Sequence, residues 1–196
     1  MAPARVLHRV RTGVWLGAED SDRCFDRIDE ALDLIARFDP DTLGSIQKQF
    51  RGILVFGEER FRSAYWVNEA ALCVITSRHL ESEKTQPEHI ALTLVHELTH
   101  ARLCASGIPY EEGRRGSIEV ICAMAELAFA QKLPNRPDLT ERAERRITEW
   151  SAGREDHWSD DTMREAKLEQ LREMGTPNWI LAVLRRISRY FGRRAA

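Results

Sequence analysis

Long apolar runs are missing from this chain. Nowhere do its 196 residues approach the roughly 20 consecutive apolar side chains that a membrane-spanning helix needs. A surplus of either charge is missing too. The formal net charge is −2, whereas general nucleic-acid binding draws on a basic excess. Cysteine is sparse: Cys24, Cys73, Cys104 and Cys122 form no C-x-x-C pair and lie in apolar stretches, as free core cysteines do. That fits a reducing compartment. The opening "MAPARVLHRVRTGVWLG" lacks an uninterrupted apolar core ahead of a small-residue cleavage site, so a cytoplasmic location is the expectation. Internal repeats and low-complexity tracts are absent as well.

What remains is an ordinary soluble composition, 31% charged and 43% apolar. A chain of this length buries roughly 70% of its unfolded surface and needs no disulfides. Residues 1–20 read as an N-terminal arm. "SDRCFDRIDEALDLIARF" (21–38) places Phe25, Ile28, Leu32, Ile35 and Phe38 on one helical stripe, with Ser21 suited to the N-cap. "DPDTLG" then reads as a break. "RGILVFG" (51–57) reads as a strand between glycines, and residues 63–77 as two strands turning near Asn68-Glu69. The second of these, Leu72 to Thr76, is rich in β-branched residues and suits either a core strand or the edge of a sheet, where an extended peptide can add itself.

Pro87 fits the first turn of a helix over "PEHIALTLVHELTHARLCA". Apolar side chains cover nearly all of its circumference, the pattern of a buried central helix. "SIEVICAMAELAFAQKL" (117–133) predicts a second, very apolar helix ended by Pro134. Further helices are expected at 139–152, 160–174 and 177–191. The order of elements suggests an α+β body over 21–135 with a helical extension over 136–196.

The central helix carries the chemistry. His96 and His100 are four apart, so both project from one face and their ring nitrogens can converge on one Zn²⁺. Glu97 beside them is placed to act as a general base. This is the H-E-x-x-H arrangement. Shuffling would produce it in roughly two of a hundred such chains, so the spacing needs support from elsewhere. Two histidines and a carboxylate on a buried helix are costly without partners, and a metal supplies one.

A catalytic zinc takes three protein ligands and one open position. Glu119 and Glu126, seven apart and on a common face, interrupt the second apolar helix. A helix packed antiparallel to the first would bring a carboxylate of its first turn, Glu119, to the metal. Exposure of Glu119 at the helix N-terminus is the bland alternative, which apolar Ile118, Val120, Ile121 and Cys122 disfavour. Glu126, if not a ligand, can accept from a ligand histidine or pair with an arginine such as Arg102.

His96-Glu97-Leu98-Thr99-His100, followed by eighteen residues and Glu119, resembles the gluzincin branch of the zincin metallopeptidases. The likeness covers residues 50–134. It implies a compact zincin-like fold, a small antiparallel or mixed sheet packed on the buried H-E-x-x-H helix. It further implies that His96, His100 and Glu119 bind zinc and that Glu97 is the catalytic acid/base acting on a peptide or protein. A looser likeness, to bacterial regulatory peptidases that cleave repressor proteins, would make Glu126 the third ligand. Metzincins differ, since they would want glycine at Leu103 and histidine at Ser106.

Other residues are weighed against plainer roles. Tyr110, Tyr65, His79 and His157 are candidates to stabilise an oxyanion, and spacing selects none of them. His89 lies roughly 10 Å along the helix from His96, too far to share its metal, and is expected to be structural. Cys104 and Cys122 each lie one turn from a proposed ligand, with packing preferred to ligation. The ending "NWILAVLRRISRYFGRRAA" is an amphipathic basic helix, expected to dock on its own domain, with a protein partner or a membrane surface as the alternatives. A zinc-bearing binding module without turnover and a metal-free helical interaction protein are the competing functional classes. A ferritin-like di-iron site is excluded because Glu97 to His100 is the single E-x-x-H.

Overall fold

The computed structural model describes residues 6–11, 14–19, 22–55, 63–108 and 110–153. The chain divides into two compact units, residues 1–154 and 155–196, and everything described belongs to the first. Ser21, His157, the helices expected at 160–174 and 177–191 and the basic ending lie outside the described residues.

A hairpin opens the fold where an arm was expected. β1 (Val6–Arg11) and β2 (Val14–Glu19) pair antiparallel, and β2 runs parallel to β3 (Gly52–Val55). That partner lies more than thirty residues downstream, so no local pattern in the first twenty residues announces it. α1 (Asp22–Phe38) follows, and its stripe of Phe25, Ile28, Leu32 and Ile35 is buried. The expected break is shorter than "DPDTLG". Asp39 ends α1 and caps α2 (Pro40–Gln49), its carboxylate accepting from the Thr42 hydroxyl at 2.8 Å. Pro40 stands in the first turn of α2, where its missing N–H costs nothing.

β4 (Ala64–Val67) and β5 (Leu72–Ile75) flank the turn anticipated near Asn68. The sheet order is β1-β2-β3-β5-β4, with β3 and β5 parallel and β4 antiparallel to β5. β5 is therefore an interior strand and not the edge. Its buried Cys73, Val74 and Ile75 form the continuous apolar run of a strand covered on both faces. The edges, among the described residues, are β1 and β4.

Thr76 then caps a short α3 (Ser77–Glu81), which the sequence reading did not anticipate. α4 (Pro87–Ala105) is the predicted central helix. It packs against α1, α2, β4, β5 and α5 (Arg115–Ala130), and Ile90, Leu94, Leu98 and Ala101 are buried in the core. α6 (Pro137–Ser151) packs on α5, so it lies in the same compact unit, which runs through Arg154. The described body is thus α+β, with a mixed sheet on one side of α4 and α5 on another. No helix of the described residues is long and apolar enough to cross a membrane.

Leu94 is fully buried on α4 at the heart of this packing. Leu94→Ala is expected to cost about 3 kcal/mol, within the roughly 2–5 kcal/mol of buried leucine truncations. Urea denaturation monitored by circular dichroism checks this, and a loss below about 1 kcal/mol would contradict the central position of α4.

Candidate metal centre

α4 and α5 build the centre between them. On α4, His96, Glu97 and His100 fall within little more than one turn. On α5, Glu119, Cys122 and Glu126 share a face at spacings of three and four. Packing of the two helices turns these faces together. All but His100 are buried by residue exposure, and His100 is only partly open.

His96 is gripped at both ring nitrogens. Its Nδ1 donates to Glu126 Oε1 at 2.6 Å, and its Nε2 lies 3.3 Å from Glu119 Oε2. The same Nε2 is 3.1 Å from Nε2 of His100, which in turn is 3.7 Å from Glu119 Oε1. The two imidazoles and the two oxygens of one carboxylate therefore approach one another at 3.1 to 3.7 Å, His96 facing Oε2 and His100 facing Oε1. Tetrahedral ligands on bonds of roughly 2.0–2.1 Å stand about 3.3 Å apart. The set His96, His100 and Glu119 fits a zinc-sized divalent cation on that test.

A second set can be drawn. The ligand atoms of His96, His100 and Cys122 lie within 4.8 Å of one another, and Cys122 Sγ is 3.7 Å from each ring nitrogen of His100. Glu119 approaches both imidazoles, at 3.3 and 3.7 Å, whereas the close contacts of Cys122 are with His100, which favours Glu119 as third ligand. Glu126 has a different place, on the outer nitrogen of His96. Glu126 also pairs with Arg146 of α6 at 2.5 Å, and not with Arg102, which is exposed. A carboxylate behind a ligand histidine fixes the ring orientation and the tautomer that faces the ion.

The electrostatics follow from three buried carboxylates, Glu97, Glu119 and Glu126, around one imidazole. Burial alone would lower the His96 pKa. The hydrogen bonds to Glu119 and Glu126, with the charge of Glu97, overcome it and raise the group to about 10. Burial likewise works to raise Glu119, but His96, His100 and the Tyr110 hydroxyl hold it down to about 2. Glu126 is also lowered against its burial by His96 and Arg146. A proton on His96 thus offsets part of the negative charge of the pocket when no cation does. A divalent ion and that proton compete for the same nitrogen.

Of the aromatic and histidine candidates named from sequence, the structure brings Tyr110 to the cluster. Its hydroxyl donates to Glu119 Oε1 at 2.9 Å, and its ring meets that of His100 edge to face at 5.2 Å. His79 instead faces Thr93 at 3.3 Å; its burial, with Arg142 close by, lowers its pKa to about 4. Tyr65 belongs to β4. His89 is structural, its Nδ1 accepting the Gln86 backbone N–H at 3.1 Å at the start of α4. Cys104 does not enter the group, whereas Cys122 does.

Arg146 was missed by sequence reasoning. Its signal was present: Leu139, Ala143 and Trp150 are the buried positions of α6, and Arg146 falls on the same 4-3-4 stripe. A charged residue on a packing face asks for a buried partner.

No protein-family model matches the chain, and no curated protein or solved structure matches it either.

Two predictions follow from this geometry. Arg146→Met removes the group that holds Glu126 in place, and zinc affinity should fall by roughly 10–100-fold, the usual effect of losing an outer partner of a metal site. Unchanged affinity in a competition titration would contradict the role of Arg146. The second concerns pH. Glu119 contributes its stability fully above its ordinary 4.5 and loses it as pH falls toward about 2. His96 contributes fully below its ordinary 6.5 and loses it as pH rises toward about 10. Chelator-treated protein should therefore show a Tm that declines from pH 6.5 upward. The decline should be absent from zinc-loaded protein and from a His96→Asn variant. A Tm that rises with pH over this range in chelator would contradict the assignment.

Proposed function

We propose that this chain is a zinc-dependent peptidase of the H-E-x-x-H type. The observation that carries the reading is the approach of His96, His100 and the two Glu119 oxygens to one another at 3.1–3.7 Å, with a buried carboxylate, Glu97, next in sequence to His96. The likeness of these residues and their spacing to gluzincins supports it.

The residues divide the work. His96, His100 and Glu119 hold the ion, and Glu126 with Arg146 fixes the His96 ring from behind. When bound, Zn²⁺ supplies Lewis acidity, polarising a carbonyl and acidifying water toward a pKa of roughly 7. Glu97 accepts the proton of the attacking water and returns it to the leaving amine. Its carboxylate is close enough to raise the charge-sensitive pKa of both His96 and Cys122, so it lies within electrostatic reach of the cluster. Tyr110, by donating to Glu119 Oε1, orients the third ligand.

The substrate on this reading is a peptide or protein segment in extended form. β4 is one of the two sheet edges among the described residues and packs on α4, so its outer backbone groups suit strand addition. The absence of any membrane-spanning helix in the described residues is compatible with a soluble enzyme of the cytoplasm.

One observation favours a second reading. Cys122 beside His100 offers a further metal donor, as a zinc site that binds without turning over would use.

Glu97→Gln separates the two. The variant should keep zinc and lose hydrolysis of a broad peptide pool by about 10²–10⁴-fold, the usual worth of a positioned acid/base. Zinc retained, with no hydrolysis by either the wild-type chain or the variant, would contradict the peptidase and leave the binding module.

A further inference from the structure

The centre holds one more donor than a three-ligand catalytic site uses. Cys122 is fully buried and stands three residues after Glu119 on α5, so both face the His96–His100 pair. Its Sγ is equidistant, at 3.7 Å, from the two ring nitrogens of His100. A thiolate and an imidazole sharing a tetrahedral ion stand about 3.6 Å apart, given bonds of roughly 2.3 and 2.05 Å. The greatest separation among the ligand atoms of His96, His100 and Cys122 is within 4.8 Å.

We propose that Cys122 is a fourth protein ligand, converting the centre into a closed His96–His100–Glu119–Cys122 site for soft divalent cations such as Zn²⁺ and Cd²⁺. The inference rests on the metal-site reading above and adds control to it. In the closed form the Cys122 S–H bond breaks, a sulfur–metal bond forms and the proton passes to solvent. No oxidation is involved. The thiolate then takes the position that water must occupy for Glu97 to act, so the closed site is a resting form. It is the thiolate, not the thiol, that ligates a metal. Softness of the donor sets the metal preference, since thiolate favours zinc and its heavier relatives over magnesium, calcium or manganese.

Cobalt substitution of the full-length protein tests this without reference to activity. Co²⁺ added to the wild-type chain should give the visible bands of a four-coordinate site together with a near-ultraviolet thiolate-to-cobalt charge-transfer band. Cys122→Ser should lose the charge-transfer band and keep cobalt. Visible bands without charge transfer in the wild-type chain would overturn the proposal and leave the three-ligand site standing. Retention of the charge-transfer band in Cys122→Ser would also overturn it, because another cysteine would then be the donor. Failure of the wild-type chain to bind cobalt or zinc would overturn the metal site itself and the proposal with it. Should Cys122→Ser not fold, the cadmium NMR shift of the wild-type protein decides. A strong downfield position expected for sulfur ligation supports the proposal, and a nitrogen–oxygen position overturns it.

Discussion

The grip of two carboxylates on one imidazole, Glu126 at Nδ1 and Glu119 at Nε2 of His96, is the interaction on which the rest of the centre depends. An ionised carboxylate taken out of water costs several kcal/mol unless a charge meets it. Here Glu97, Glu119 and Glu126 are all buried between α4 and α5. They can be so because a cationic partner sits among them, and Arg146 meets Glu126 from α6. Remove the positive charge on either side of Glu126, and burial works against the packing of α5 on α4. The site and that helix contact are therefore one energetic unit, in which electrostatic complementarity and apolar packing hold only together.

α4 makes the arrangement possible by dividing its circumference. Ile90, Leu94 and Leu98 enter the core shared with α1 and the sheet, while the imidazole-bearing turn faces α5. Because both sides are packed, the histidines have little freedom to move apart. Their 3.1 Å approach is set by the scaffold and not by a mobile loop. Precise metal geometry asks for such rigidity in the supporting shell. The sheet contributes by placing one of its two edge strands, β4, against the same helix.

Much of this was legible in the amino-acid order because the information is local. His96 and His100 have the spacing of one helical face. Glu119 and Glu126 are acidic interruptions of an otherwise apolar helix, and an interruption without a partner would be destabilising. Those residues do meet. The parts that escaped depend on contacts between distant segments. Nothing near residue 6 shows that β2 will pair with β3, and strand order cannot be read from β5 alone, so its edge and core placements both stay open until the sheet is seen. The stretch "DPDTLG" reads as a break between elements, yet Asp39 caps α2 and Pro40 begins it, so the same residues start a helix. Cys122 and Tyr110 gain meaning only once α5 is seen against His100. Arg146 could have been found, since it lies on the buried stripe of α6, but its partner on α5 could not be named in advance.

The central claim is that His96, His100 and Glu119 close on a single divalent cation. Metal analysis of the purified protein after equilibration with zinc and gel filtration tests it most directly, with a His100→Ala variant alongside. The account predicts one zinc per wild-type chain and loss of that zinc from the variant. A wild-type chain that emerges without zinc, or a variant that retains it, would contradict the claim.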